Sequence, residues 1–157
     1  MKKPWVFFDL GNTVVDTRTY DFKKIFYRQG SYEYLLLLRS QGYKLGLIVN
    51  VPDRWGSTDA EKVLAMKQFI AESWTDPRPM NWEIFDAGIV IPHSDALRKP
   101  EPEMFQRARE LAAAEGCGAV YQGEELAEVE AATRAGLYGF LVEEEFMSER
   151  EICSLST

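Results

Sequence analysis

Along the chain, short runs of β-favouring apolar residues alternate with longer stretches whose apolar positions recur at the helical period. The first run, Val6-Phe7-Phe8, stops at a carboxylate, Asp9, and Gly11 and Asn12 then suit a tight turn. Four further runs, over 44–49, 87–91, 118–121 and 138–142, read as buried strands. The period between them predicts helix over 21–41 (Phe22, Ile25, Phe26, Tyr32, Leu35, Leu36, Leu38), broken at Gly30 into a connecting piece and a packed helix. It predicts further helices over 57–73, capped by Ser57 or Thr58, and over 104–114 and 125–135. Gly42 and Gly136 serve as stops. The stretch 74–79, with Pro77 and Pro79, reads as a linker, and from Glu143 on the chain reads as a short helix and a loosely held tail. Five strands alternating with helices predict an α/β fold, a doubly wound parallel sheet with right-handed crossovers.

Composition narrows this picture. With 157 residues, 46% of them hydrophobic, the chain has enough apolar material for one compact domain over 1–157, and no shift in composition marks a second. A net charge of −7 argues against a nucleic-acid partner, since binding a phosphate backbone relies on Lys and Arg. No window approaches the roughly 18 apolar residues of a membrane span, and the run behind Met1-Lys2-Lys3 is too short for a secretory signal. Cys117 and Cys153 lie too far apart for a disulfide framework, and they read as ordinary thiols of a cytoplasmic protein. Trp5, Trp55, Trp74 and Trp82 read as packing residues. His93, in the loop before Lys99, reads as a bystander, with a substrate contact as the alternative.

In open α/β sheets ligands bind beyond the carboxyl ends of the strands, where Asp9 falls. Three other segments join it. Lys99-Pro100-Glu101-Pro102-Glu103-Met104-Phe105 precedes the third helix; Gly123-Glu124-Glu125-Leu126-Ala127-Glu128 follows the fourth strand; Val49-Asn50 ends the second. Taken in their order along the chain, the four segments resemble the motifs of the haloacid dehalogenase (HAD) superfamily, mostly phosphohydrolases that attack phosphate with an aspartate. The resemblance runs from Val6 to Val142 and implies a HAD-like Rossmannoid fold. It also implies that Asp9 is the nucleophile, forming an aspartyl phosphate, and that Lys99 holds the nucleophile and phosphate charges together. Mg²⁺ is the implied cofactor, bound by Asp9, the Gly11 carbonyl, Glu124 and Glu128. Gly11, Asn12, Asn50 and Lys99 are the implied phosphate contacts.

The motifs also depart from the family pattern. Gly11 stands where the family carries the acid that protonates the leaving group, help typically worth about 10²–10⁴ in rate. Val49 replaces the usual Ser or Thr, leaving Asn50 to offer the hydrogen bond, and each metal acid is a Glu, longer by one methylene. Two functions follow from this. One is a phosphohydrolase acting on a phosphate monoester or an activated phosphate, borne by a small molecule or a phosphoprotein. The other is an impaired relative serving as a binding or regulatory module. With only helical material expected between the first two strands, no true cap is expected. The segment around 74–82 reads as a small lid or a contact surface, and assembly with further copies is left open.

Overall fold

The computed structural model describes residues 2–156. The strand β1 (Trp5–Phe8) leads into a tight turn and a two-residue antiparallel ribbon, β2 (Val15–Asp16) with β3 (Phe26–Tyr27). Helix α1 (Ser31–Ser40), strand β4 (Leu45–Ile48) and helix α2 (Asp59–Ser73) follow, then β5 (Gly88–Val90) and α3 (Glu103–Ala114). The chain continues through β6 (Ala119–Gly123), α4 (Leu126–Arg134), β7 (Tyr138–Leu141) and α5 (Glu149–Cys153). The five main strands form one parallel sheet in the order β5-β4-β1-β6-β7.

Strand parity divides the core into two layers, because successive side chains of a strand point to opposite faces. Val6, Phe8, Leu45, Leu47 and Val120 pack with Leu35 and Leu38 of α1, Met66 and Ile70 of α2, and Ile152 of α5. Phe7, Ile48 and Tyr121 pack on the other side with Met104, Phe105 and Ala108 of α3 and Val129 and Ala132 of α4. With both faces covered, a strand carries no polar alternation, which is why continuous apolar runs foretold these strands. The chain leaves β1 for β4 on one side and returns to β6 on the other. The sheet's switch point therefore lies between the carboxyl ends of β1 and β6, where ligands bind in such sheets.

One expectation is corrected. The connecting piece before Gly30 is not helical: Asp21 and Phe22 hold left-handed backbone (φ 50° and 64°), which costs L-residues about 1–2 kcal/mol each and stops a right-handed helix. Its apolar residues serve tertiary contacts instead, Ile25 bridging to Trp74 and Phe22 meeting Phe69 of α2 edge-on. At the C-terminus the expected short helix is present as α5, and the residues after it are held in part, Leu155 packing against the same core as Ile152. Ser148 and Glu151 form a capping box for α5, Met147 and Ile152 are buried, and the Met147 amide donates to Gln122 Oε1 at 2.9 Å. Thr58 caps α2, its hydroxyl accepting from the Glu61 amide at 3.1 Å. The segment 74–82 lies against β3 and the start of α1: Tyr27 donates to the Pro79 carbonyl, and Arg78 stacks over Tyr27 and Tyr32 while pairing with Glu33. Among the described residues no helix is long and apolar enough to cross a membrane.

Candidate active site

Parity also builds the site. Trp5 and Phe7 face the α3–α4 layer, and Asp9 continues that face one step beyond the end of β1. The Asp9 amide donates to the Gln122 carbonyl (3.0 Å), tying this point to β6 across the switch point. Three amides in the turn, those of Thr13, Val14 and Val15, converge on the Leu10 carbonyl, and Asn12 takes a left-handed φ of 61°. Asn tolerates that conformation because its short side chain bonds locally; here Asn12 Oδ1 accepts from the Thr17 amide and hydroxyl.

The Lys99 ammonium reaches this carboxylate from the loop before α3. Nζ lies 2.8 Å from Asp9 Oδ1 and 2.9 Å from Glu128 Oε1 in the first turn of α4. The Leu10 amide donates to the same Asp9 oxygen at 2.9 Å. Asp9 Oδ1 is thus fully engaged, whereas Oδ2 accepts no hydrogen bond among the described residues, and the Asp9 side chain keeps 17% of its surface exposed. That combination suits a nucleophile: one oxygen fixes the carboxylate and the other is left without a hydrogen-bond partner among the described residues.

Burial sets the protonation balance. Desolvation pushes the Asp9 carboxyl above its ordinary value; the Lys99 charge pulls it back and the Glu128 charge pushes with burial. Burial works against the Lys99 charge too, but the two carboxylates outweigh it and hold the ammonium charged to higher pH than usual. Glu125 titrates above the usual carboxyl range, chiefly because of the neighbouring Glu128 charge and a shared hydrogen bond with it.

The other expected residues divide between this cluster and its surroundings. Asn50 grips the Lys99 backbone from both sides: its Oδ1 accepts from the Lys99 amide (2.8 Å) and its Nδ2 donates to the Lys99 carbonyl (3.3 Å). That commits the Asn50 amide to placing the lysine. Asn50→Ala is therefore expected to lower stability by about 1–3 kcal/mol, the usual cost of leaving such partners unmet, as read by urea denaturation. Glu124 is held by Arg18, 2.8 Å away on the loop after β2. His93 contacts Arg107, Asp59 and Glu103 and none of the Asp9 cluster. Sequence reasoning missed Tyr121 and Arg18. For Tyr121 a signal existed, since it sits two residues before Gly123, on the strand face that Asp9 shares; for Arg18 there was none.

A divalent cation is testable against these donors. Mg²⁺ takes hard oxygens, using one or two carboxylates together with water and phosphate oxygens. Asp9 Oδ2 and the Gly11 carbonyl, neither hydrogen-bonded among the described residues, fit it, and Glu124 and Glu128 stand at the head of α4. Among the described residues no three of His, Cys, Asp and Glu converge tightly enough to enclose an ion by themselves. These residues thus fit a cation that shares substrate oxygens.

No protein-family model and no curated protein sequence matches the chain. Solved structures do. A D,D-heptose 1,7-bisphosphate phosphatase from B. bronchiseptica, complexed with magnesium and phosphate, aligns with a TM-score of 0.56 at 16% identity, over 85% of this chain and 77% of that one. A HAD family enzyme from Bacteroides thetaiotaomicron, an aspartate-to-alanine mutant with magnesium and inorganic phosphate, aligns with a TM-score of 0.62 at 11% identity, over 95% and 98%. A HAD-like protein from Mesorhizobium loti aligns with a TM-score of 0.53 at 18% identity, over 98% and 84%. The chain has the HAD-like fold.

Proposed function

We propose that this HAD-fold chain is a phosphohydrolase of activated phosphates, working through an aspartyl phosphate on Asp9. The observation that carries the reading is the pose of Asp9 at the switch point, Oδ1 pinned by Lys99 and the Leu10 amide and Oδ2 free. In the first step Asp9 Oδ2 bonds to phosphorus as the bond from phosphorus to the leaving oxygen breaks. In the second, water bonds to phosphorus, the acyl-phosphate bond breaks, and inorganic phosphate departs with both water protons. Asp9, the Gly11 carbonyl and an acid of Glu124 and Glu128 would hold Mg²⁺, which when bound neutralises phosphate charge. Lys99 keeps Asp9 ionised and oriented throughout.

Gly11 decides the substrate class. Without an acid beside the leaving oxygen, a leaving group must depart as a stable anion, which favours acyl phosphates and anhydrides over alkyl monoesters. The test is phosphate release by the purified protein with Mg²⁺ and with chelator. Acetyl phosphate is expected to turn over, and p-nitrophenyl phosphate also, while alkyl monoesters react far more slowly. Gly11 leaves room for the missing acid, because a Cβ there would meet only Thr17 Oγ1, at an ordinary 3.7 Å. Gly11→Asp is therefore expected to raise the rate on alkyl monoesters by about 10²-fold or more, with little change for acetyl phosphate, as read by steady-state kinetics on both substrates. A non-catalytic binding module is the second reading, favoured by Gly11 and by the hold of Arg18 on Glu124. No phosphate release from acetyl phosphate above a buffer blank would select it.

A further inference from the structure

We propose that Tyr121 is a positioning residue whose hydroxyl completes the socket around the Lys99 ammonium, committing that lysine to Asp9 and away from the substrate phosphate. The proposal rests on the phosphohydrolase reading above. An ammonium group has three protons to donate and no acceptor. Three acceptors surround Lys99 Nζ: Asp9 Oδ1 at 2.8 Å, Glu128 Oε1 at 2.9 Å and the Tyr121 hydroxyl at 3.1 Å. The lysine side chain is 1% exposed, so no proton is left over for a ligand.

The directions of these bonds are forced. Lys99 can only donate, so the phenol oxygen accepts from it, and the phenol proton then goes to Glu128 Oε1 at 3.0 Å. Tyr121 thereby joins the cation to the carboxylate at the head of α4 through one bridging hydroxyl. The ring is built in for this purpose. Tyr121 is fully buried on β6, Phe105 of α3 meets it edge-on at 5.0 Å, and a Cβ on Gly123 would fall 2.9 Å from its ring atoms. Gly123 thus keeps open the space that the phenol occupies.

Tyr121→Phe keeps the ring and removes only the acceptor, which frees one ammonium proton next to Asp9. An anion bound against Asp9 is the partner within its reach. The variant is therefore expected to lose about ten-fold in kcat on acetyl phosphate, through looser placement of the nucleophile. It is also expected to be inhibited several-fold more tightly by inorganic phosphate, through the new charge-assisted bond. Loss of a merely structural contact would lower kcat and leave phosphate binding unchanged or weaker, and that result, or an unchanged kcat, overturns the proposal. Gly123→Ala, which pushes the ring aside, is expected to give the same pair of changes and serves if the first variant does not fold. Independently of turnover, a lysine ammonium locked in three hydrogen bonds exchanges its protons slowly enough to be seen by ¹⁵N NMR. One such signal is expected in the wild type and its loss or displacement in Tyr121→Phe; an unaltered signal overturns the proposal. If the wild type releases no phosphate, the functional reading fails and this signal alone decides the role of Tyr121.

Discussion

Replacing Asp9 by asparagine is expected to lower acetyl phosphate turnover by at least about 10³-fold, the scale of loss when a nucleophile is removed, while leaving the protein folded. The two effects separate because the two oxygens of Asp9 have different parts. An asparagine can present its carbonyl oxygen where Oδ1 sits, still accepting from Lys99 and from the Leu10 amide. What it presents in place of Oδ2 is an NH₂ group, which has no lone pair free to attack phosphorus. Phosphate release and a thermal melt, run side by side on one preparation, check both halves. Undiminished release would place the activity somewhere other than Asp9.

The same carboxylate sets the acid limb of the pH profile. Asp9 attacks only when ionised, and burial holds its pKa above the ordinary aspartate value of about 3.9 despite the pull of Lys99. The rate is therefore expected to fall as acid protonates Asp9, a limb that bound Mg²⁺ shifts to lower pH, as read by pH–rate profiles at two Mg²⁺ concentrations. For stability the sign is opposite: a carboxyl whose pKa is raised in the folded state binds protons better there, so protonating Asp9 favours the fold.

What could be read from the chain and what could not follows from how far each interaction reaches. The strands were legible because burial on both faces demands unbroken apolar runs such as Trp5-Val6-Phe7-Phe8. Asp9 and Lys99 were legible because each stands in a local motif, although they are 90 positions apart in sequence. The ribbon was not, since its strands have two residues each and the apolar residues around it answer to Trp74 and Phe69, not to their own neighbours. The hold of Arg18 on Glu124 spans 106 positions and belongs to no motif. Tyr121 looked like one more apolar strand residue; only the arrival of Lys99 and Glu128 at its hydroxyl gives it another part. Local pattern thus specifies the frame and the two principal charges, while the polar network that tunes them is a property of the assembled tertiary structure.

Lys99→Met is expected to destabilise the fold by about 3–5 kcal/mol at neutral pH, the cost of removing one partner from a buried ionic cluster. Methionine fills the volume of the lysine stem, so the loss is electrostatic and not a cavity effect. Without the ammonium, Asp9 and Glu128 lose the cation that, among the described residues, pairs with both, and two like charges share a poorly solvated site. The pH dependence identifies this cause. Lys99 has a raised pKa in the folded state, so its contribution is fully present below the unfolded lysine value of about 10.4 and disappears as pH rises through the folded value. In the variant the uncompensated carboxyls bind protons more readily in the folded than in the unfolded state, so acid restores part of the loss. Urea denaturation of both proteins from mildly acid to alkaline pH should therefore show a gap that is widest near neutrality and closes at either end. Adding Glu128→Gln to Lys99→Met removes one of the two stranded charges and should recover part of the stability, a coupling that a double-mutant cycle measures. A variant as stable as the wild type at neutral pH would mean that Lys99 does not hold the two carboxylates, and the placement of Asp9 would then need another source.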